Sequence, residues 1–236
     1  DLKDVKFHLD TKKILLFLGF NYKEKEMSPA TKETTTTKVE VPVFNETYLK
    51  PSIYIYNTHQ TEEYKDGDVL KAAEYLKAQL EPHDIEVIVE TTNIKEALKK
   101  GNLAYKDSYK ITRELLNQHI NDNTVLYIDL HRDSASYSTA TTEWNGKKYA
   151  RMMFVIGGKH ETYKNNYRIA DDLNKRLKNQ YAKLSRGIFV RENSSYNQDL
   201  NSNVILIEVG GPHNTMEEVQ NSLQIFKNIL LEYIGE

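Results

Sequence analysis

Four side chains in this chain stand at the ends of apolar runs that have the composition of β-strands. His59 and Glu62 follow Ser52–Asn57 (SIYIYN) inside the string NTHQTEEY, and His131 follows Thr124–Leu130 (TVLYIDL). Glu208 comes near the end of Val204–Val209 (VILIEV), just before Gly210 and Gly211. Two histidines and a carboxylate make the donor set of a hydrolytic zinc site, with three protein ligands and a fourth position left for water. His59, Glu62 and His131 supply that set, since a His-x-x-Glu on a tight loop can turn a nitrogen and an oxygen toward one ion. Glu208 is then free to act as general base, taking a proton from the attacking water and returning it to a leaving amine. Each group also has a plainer reading. His59 and Glu62 can be two solvated side chains, His131 a member of a strand-end network with Asp129 and Arg132, and Glu208 half of a salt bridge. A carboxylate ending a buried strand is nevertheless costly unless it is paired or used.

For these groups to meet, their strands must end on one edge, as they do in a parallel α/β sheet. The pattern of the chain from Pro51 onward fits that requirement. Strand-like runs at Ser52–Asn57, Ile85–Val89, Thr124–Leu130, Gly187–Val190 and Val204–Val209 alternate with helical periods. Val69, Ala72, Ala73, Leu76 and Leu80 share one helical face, and Tyr105–Ile120 reads as a second helix. Tyr163–Tyr181 and Thr215–Tyr233 are long amphipathic helices. Between them, Thr139–Trp144 and Tyr149–Ile156 flank Asn145-Gly146, a strong hairpin-turn dipeptide. The expected fold is α/β, a mostly parallel or mixed sheet flanked by helices, with an inserted β-hairpin. Residues 1–50 differ. They hold one short helical candidate, Thr11–Phe20, and a polar Thr-rich stretch, Ser28–Thr37, and read as an N-terminal extension and linker ahead of a catalytic domain over residues 51–236.

Composition narrows the function classes. Acidic and basic residues are mixed along the chain and sum to a net charge of -2, without the clustered positive face that nucleic acid demands. The longest apolar run, Ile14–Phe20, is far too short for a membrane span. The chain has no cysteine, which leans toward export from the cytoplasm. It starts at Asp1, so a signal peptide or membrane anchor would lie ahead of the residues given.

The motif strings also resemble those of a known family. NTHQTEEY resembles the HTHTTESY-type segment of the stage II sporulation protein P family, and IDLHRDS resembles its DLHRD segment. ATTEWNGKKYARMMFVIG, YNQDL and ILIEVGGPHNTMEEV follow in the family's order. The likeness runs over roughly residues 51–236 and leaves residues 1–50 aside. It implies an amidase-like zinc fold related to the N-acetylmuramoyl-L-alanine amidases, acting on peptidoglycan. The bond cut would be the amide between N-acetylmuramic acid and L-alanine, with stem-peptide cross-links as a further target. It also implies action during forespore engulfment in sporulation, beside a lytic transglycosylase, stage II sporulation protein D. The place implied is extracytoplasmic, at the sporulation septum, with an N-terminal membrane anchor. Carried over by position, the Zn2+ ligands fall on His59, Glu62 and His131 and the catalytic glutamate on Glu208. Two positions depart from the pattern. Asn57 stands where the family's first motif has another histidine, and its place on the His59 face suits a hydrogen-bonding role. Glu63 beside Glu62 leaves two candidates for the carboxylate ligand, with Glu62 favoured by position.

Around this set, Asp129 shares a strand face with His131 and is the candidate for supporting it. Arg132 is expected to pair with Asp133 or Asp129, or else to bind a substrate carboxylate or an oxyanion. Asn197, Gln198 and Asp199 lie in a polar loop ahead of the Glu208 strand and suit peptide amides, or else staple a turn. Trp144 at the hairpin could stack on glycan. Two competing readings remain open at this point. A zinc carboxypeptidase would need Arg132 or Arg191 as a carboxylate anchor, and a non-catalytic wall-binding module would keep the fold without turnover.

Overall fold

The computed structural model describes residues 50–235 of the chain. The segments Thr11–Phe20 and Ser28–Thr37 lie outside the described residues. Fourteen regular elements follow in order. They are β1 (Ser52–Tyr56), α1 (Val69–Leu80), β2 (Glu86–Val89), α2 (Ile94–Lys100), α3 (Ser108–His119) and β3 (Thr124–His131). Then come α4 (Tyr137–Ala140), β4 (Thr141–Trp144), β5 (Lys147–Ala150), β6 (Met152–Gly157) and α5 (Tyr163–Tyr181). The chain closes with β7 (Ser185–Arg191), β8 (Val204–Val209) and α6 (Met216–Ile234).

Six strands form one sheet in the order β2-β1-β3-β8-β6-β7. The first four run parallel. β6 is antiparallel to β8, and β7 is parallel to β6, so the last two strands run against the rest. The sheet is mixed, and its reversal falls next to β8. Strand alternation sorts the side chains onto two faces. Ile53, Ile55, Leu126, Ile128, Leu130, Ile205 and Ile207 join a large apolar cluster with Leu76 and Ala73 of α1, Leu173 of α5 and Phe226 of α6. Tyr54, Tyr56, Tyr127 and Val204 form a smaller cluster on the other face with Leu116 of α3. That second face is the one that carries the chemistry.

The helices begin where the sequence provides caps. Asp68 accepts from the Lys71 amide at the start of α1. Thr215 and Glu218 form a reciprocal capping box at the start of α6. α2 is an element that the sequence reading lacks. Only Ile94 and Leu98 of it are buried, too few for a visible period, and an Asn93 cap and Gly101 bound it. The expected helix over Tyr105–Ile120 opens with a 3-10 turn at Tyr105–Asp107 before α3 proper.

The hairpin differs more. Its first arm and Asn-Gly turn are present as β4 and β5, paired from Thr141 with Ala150 to Trp144 with Lys147. The expected second arm, Tyr149–Ile156, is broken at Arg151 into β5 and β6, and β6 leaves the hairpin to join the main sheet. Arg151 makes the break. Its amide donates to Ala140 O at 2.7 Å and its carbonyl accepts from Gly210 N at 2.8 Å, while its guanidinium donates to the carbonyls of Thr139, Lys183 and Ser185.

Candidate metal centre

β1, β3 and β8 are parallel and deliver their last residues to one edge of the sheet. β3 ends on His131, which is the Cα partner of Glu208 on β8. The chain leaves β1 through Asn57 and Thr58, and both residues are tied down. Asn57 is buried and its amide donates to the carbonyls of Leu130, at 2.6 Å, and Val69, at 3.3 Å. It braces the turn, and its Oδ1 is buried without a hydrogen-bond partner. Thr58 donates its amide to Asp129 Oδ1 at 2.9 Å and its hydroxyl to Oδ2 at 2.7 Å. A turn closed by Glu62 N–H to His59 O at 2.9 Å then faces the His59 and Glu62 side chains toward each other.

In that arrangement His59 Nδ1 is 3.6 Å from Glu62 Oε1, and His131 Nδ1 is 3.3 Å from Glu62 Oε2. One ligand atom from each of the three lies within 4.8 Å of the others. Two imidazole nitrogens and a carboxylate oxygen so gathered form a donor set that can hold a metal ion. Glu62 is suited to the role electrostatically. Burial would raise its pKa, but the hydrogen bonds from His131, His59 and the Arg132 amide outweigh that and lower it to about 2. His131 is buried, with Nε2 2.9 Å from Asp129 Oδ1, and Asp129 is wholly buried. That approach lacks the alignment of a hydrogen bond, so Nε2 stays unpartnered. Burial works against a charged ring here, yet Asp129 and Glu62 prevail and hold the His131 pKa well above the ordinary value. An ion on Nδ1 would relieve the same concentration of negative charge. Glu63 is exposed, and its backbone bridges to Asp68, so among the described residues Glu62 is the carboxylate that faces the two histidines.

Glu208 stands beside this triangle and is not one of its members. Its Oε2 is buried without a hydrogen-bond partner. Burial raises its pKa to about 7, with His131 opposing the rise and Glu62, Asp133 and Asp129 adding to it. A carboxyl poised near neutrality beside a group of possible metal donors has the property of a general acid–base.

The loop after Glu62 is stitched to the strand that carries Glu208. Tyr64 hydroxyl donates to Val209 O at 3.0 Å, Lys65 N to Asn214 O at 3.0 Å, and Met216 N to Asp66 Oδ1 at 2.7 Å. Gly210 closes the junction. It has φ +69, and a Cβ there would meet Asn214 Oδ1 at 2.7 Å.

The flanking candidates take definite places. Arg132 makes no ion pair with Asp133 or Asp129. Its guanidinium donates to the carbonyls of Glu63 and Asp133, and the Asp133 carboxylate goes instead to Arg186. Asn197, Gln198 and Asp199 turn their polar groups to the protein. Asn197 donates to Tyr109 O and Thr112 Oγ1, and Gln198, wholly buried, caps β6 by bonding Gly157 N and Val155 O. Asp199 forms a two-pronged bond with Arg113. Trp144 sits on the hairpin, edge-on to Tyr181 at 5.3 Å.

Aromatic side chains that the sequence reading did not single out complete the surroundings. Tyr105 stacks on His59 with ring centroids 4.9 Å apart, and Tyr109 meets it edge-on at 5.6 Å. Tyr196 lies 5.5 Å from Tyr109. The signal available was the four-residue spacing of Tyr105 and Tyr109, which puts both on one helical side. Two hollows flank the centre. One of about 420 Å³ opens beside Thr58, Gln60 and Tyr105, against Ile94 and Leu98. The other, about 390 Å³, has Glu208 in its wall.

Comparison with known proteins gives a consistent result. Residues 9–231 match the family model described as Stage II sporulation protein P. The match starts well ahead of residue 51, so the likeness is wider than the five motifs alone suggest. Stage II sporulation protein P of Bacillus subtilis (strain 168) is 32% identical over 204 residues, covering 78% of this chain and 51% of the relative. The chain thus spans about half the length of the curated relative it matches. Among solved structures, the CwlD amidase from Clostridioides difficile in complex with the GerS lipoprotein superposes with a TM-score of 0.54 at 15% identity, covering 78% of this chain and 98% of that one. An N-acetylmuramoyl-L-alanine amidase from Clostridium difficile 630 gives 0.48 at 19% identity, covering 79% and 97%. At such identities the first of these likenesses speaks to a shared fold.

Proposed function

The chain belongs to the stage II sporulation protein P family, and from that premise we propose that it is a zinc-dependent amidase of bacterial peptidoglycan, cutting between N-acetylmuramic acid and L-alanine. The observation that carries the reading is Glu208. A half-buried carboxyl raised to about 7, whose buried Oε2 lacks a hydrogen-bond partner beside a His59–Glu62–His131 donor triangle, has a use in amide hydrolysis and no partner that would explain it as structure.

His59, Glu62 and His131 would hold the ion, and zinc in such a seat supplies a Lewis acid for water and the amide carbonyl. Glu208 accepts the proton of the attacking water and passes it to the amide nitrogen as the carbon–nitrogen bond breaks. Asp129 supports His131 through its charge, 2.9 Å from Nε2, and Thr58 in turn fixes Asp129. Tyr105 and Tyr109 pack against His59 and shield part of its ring.

The setting follows from the same reading. Peptidoglycan is the substrate, the place is outside the cytoplasm at the sporulation septum, and the occasion is forespore engulfment. A membrane anchor and a lytic transglycosylase, stage II sporulation protein D, would be its companions. No helix among the described residues is long and apolar enough to cross a membrane. Digestion of purified wall with the zinc-loaded protein, followed by mass analysis, tests the proposal. Whole stem peptides with a free L-alanine amine are expected. Release of single terminal residues would make it a carboxypeptidase, and cut cross-links would add an endopeptidase activity. Bound zinc without any product would leave a wall-binding module.

A further inference from the structure

The order of the strands sets out the reaction across the sheet. The donor residues come from β1 and β3, the base from β8, and beyond β8 lie β6 and β7. Glu208 therefore stands between the metal centre and the hollow of about 390 Å³ whose walls include Met153, Phe189, Arg191 and Tyr196. The group that receives a proton from Glu208 is the leaving amine. The chain attached to that amine is accordingly the part of the substrate that enters this hollow, while the acyl part stays with the ion.

The hollow has a distinct chemistry. Met153 and Val155 make an apolar floor, and two arginines stand over it. Arg186 is neutralised by Asp133. Arg191 is exposed and has no carboxylate within ion-pair distance among the described residues; its guanidinium lies over the Phe189 ring at 4.6 Å. Stacking of this kind holds the planar group in place while leaving its donors free. The register gives its distance from the base. Glu208 pairs with Met153 and Arg191 with Gly157, four residues further along β6. At about 3.3 Å per residue along the strands and about 4.8 Å between neighbouring strands, two strands apart, the two Cα atoms are roughly 16 Å apart, and the arginine side chain can span part of that. An extended peptide covers the remainder in two or three residues.

We infer that Arg191 is an anchor for a carboxylate carried by the leaving peptide, within the first few residues after the scissile amide. It is a specificity-determining residue that selects acidic over amidated stem peptides. The inference rests on the amidase reading for the direction in which the peptide lies.

The test uses two synthetic N-acetylmuramoyl-L-alanyl peptides that differ only in whether the second residue bears a free carboxylate or its amide. kcat/KM is measured for both with the zinc-loaded full chain, its Arg191→Gln and Arg191→Glu variants. Binding of the two released peptides to the same three proteins is measured by calorimetry. The wild type should prefer the acidic substrate by about 10-fold to 100-fold, the range of a charge-assisted hydrogen bond, and mostly through KM. Arg191→Gln should erase the preference, bringing kcat/KM for the acidic substrate down to that for the amidated one, and Arg191→Glu should invert it. Equal rates for both substrates in the wild type, or a preference that survives in Arg191→Gln, would overturn the anchor. If neither substrate is cut but the acidic peptide still binds better, through Arg191, the amidase reading fails and the carboxylate site stands.

Discussion

Glu208 and His131 occupy one rung of the sheet, as Cα partners across the β3–β8 ladder. The proposed base and one proposed ligand are therefore positioned by the same backbone hydrogen bonds, with no loop between them to loosen.

That rung makes Glu208→Gln the sharpest test of the mechanism. Glutamine is close to isosteric, so zinc content should stay at one per chain while release of stem peptides falls about 10²–10⁴-fold. Elemental analysis and product release, measured together, decide the point. Loss of zinc would make Glu208 a ligand, and near-normal turnover would remove it from the mechanism.

The same variant predicts a pH effect in the metal-free protein. The folded pKa of Glu208 is raised, to about 7, above an ordinary value of 4.5. Below the ordinary value both folded and unfolded chains carry the proton. As pH rises from there through about 7, the unfolded chain ionises first and stability is lost. Glu208→Gln lacks this loss. Its melting temperature should match the wild type near pH 4.5 and exceed it at pH 8, by an amount corresponding to roughly 3 kcal/mol at about 1.4 kcal/mol per unit. A gap that does not widen with pH would contradict the assigned burial.

Glu62→Gln should weaken zinc binding and Glu63→Gln should leave it unchanged. Glu62 faces both histidines, whereas Glu63 is exposed and contributes a carbonyl to Arg132. Competition with a chelator reads both affinities, and a larger loss for Glu63→Gln would reverse the assignment.

Asp129→Asn should cost about 10-fold to 100-fold in zinc affinity, the usual effect of losing the group behind a metal-bound histidine. Its bond from the Thr58 hydroxyl can survive, so the fold should hold. Unchanged affinity would mean that Asp129 serves only the Thr58 turn.

His59, Glu62, His131 and Glu208 were legible because each stands at the end of an apolar run, and that signal is local. Parallel strands then bring them together whatever the loops do. The groups around them were not legible, since their places depend on how distant elements pack. Nothing near Arg151 marks the break in Tyr149–Ile156; the break exists because Ala140 and Gly210 take up the Arg151 backbone. Asn197 and Gln198 read as polar loop residues fit for a ligand, yet α3 and the edge of β6 lie close enough to use their amides. Tyr105 looks like an ordinary surface residue until the turn ahead of α3 is placed beside the site, and Arg191, offered by the sequence only as the anchor of a carboxypeptidase, meets the site through the reversed β7. The reversal of β6 and β7 leaves no mark in the strand pattern, which records which face is buried but not the direction of travel.

The stitching of the Tyr64–Asp66 loop to Val209, Asn214 and Met216 has a consequence for how an ion is received. Two of the three donors sit in the turn that leads into that loop and the third on a central strand, so the backbone carrying the triangle is tied down before any cation arrives. In small zinc modules the chain orders itself around the ion, and binding and folding are one event. Here the seat is ready-made, and little conformational entropy is left to lose. Selectivity then rests on how well a cation's radius and preferred angles suit a fixed frame. A misfitting metal cannot draw the donors inward to suit itself without disturbing the start of α6.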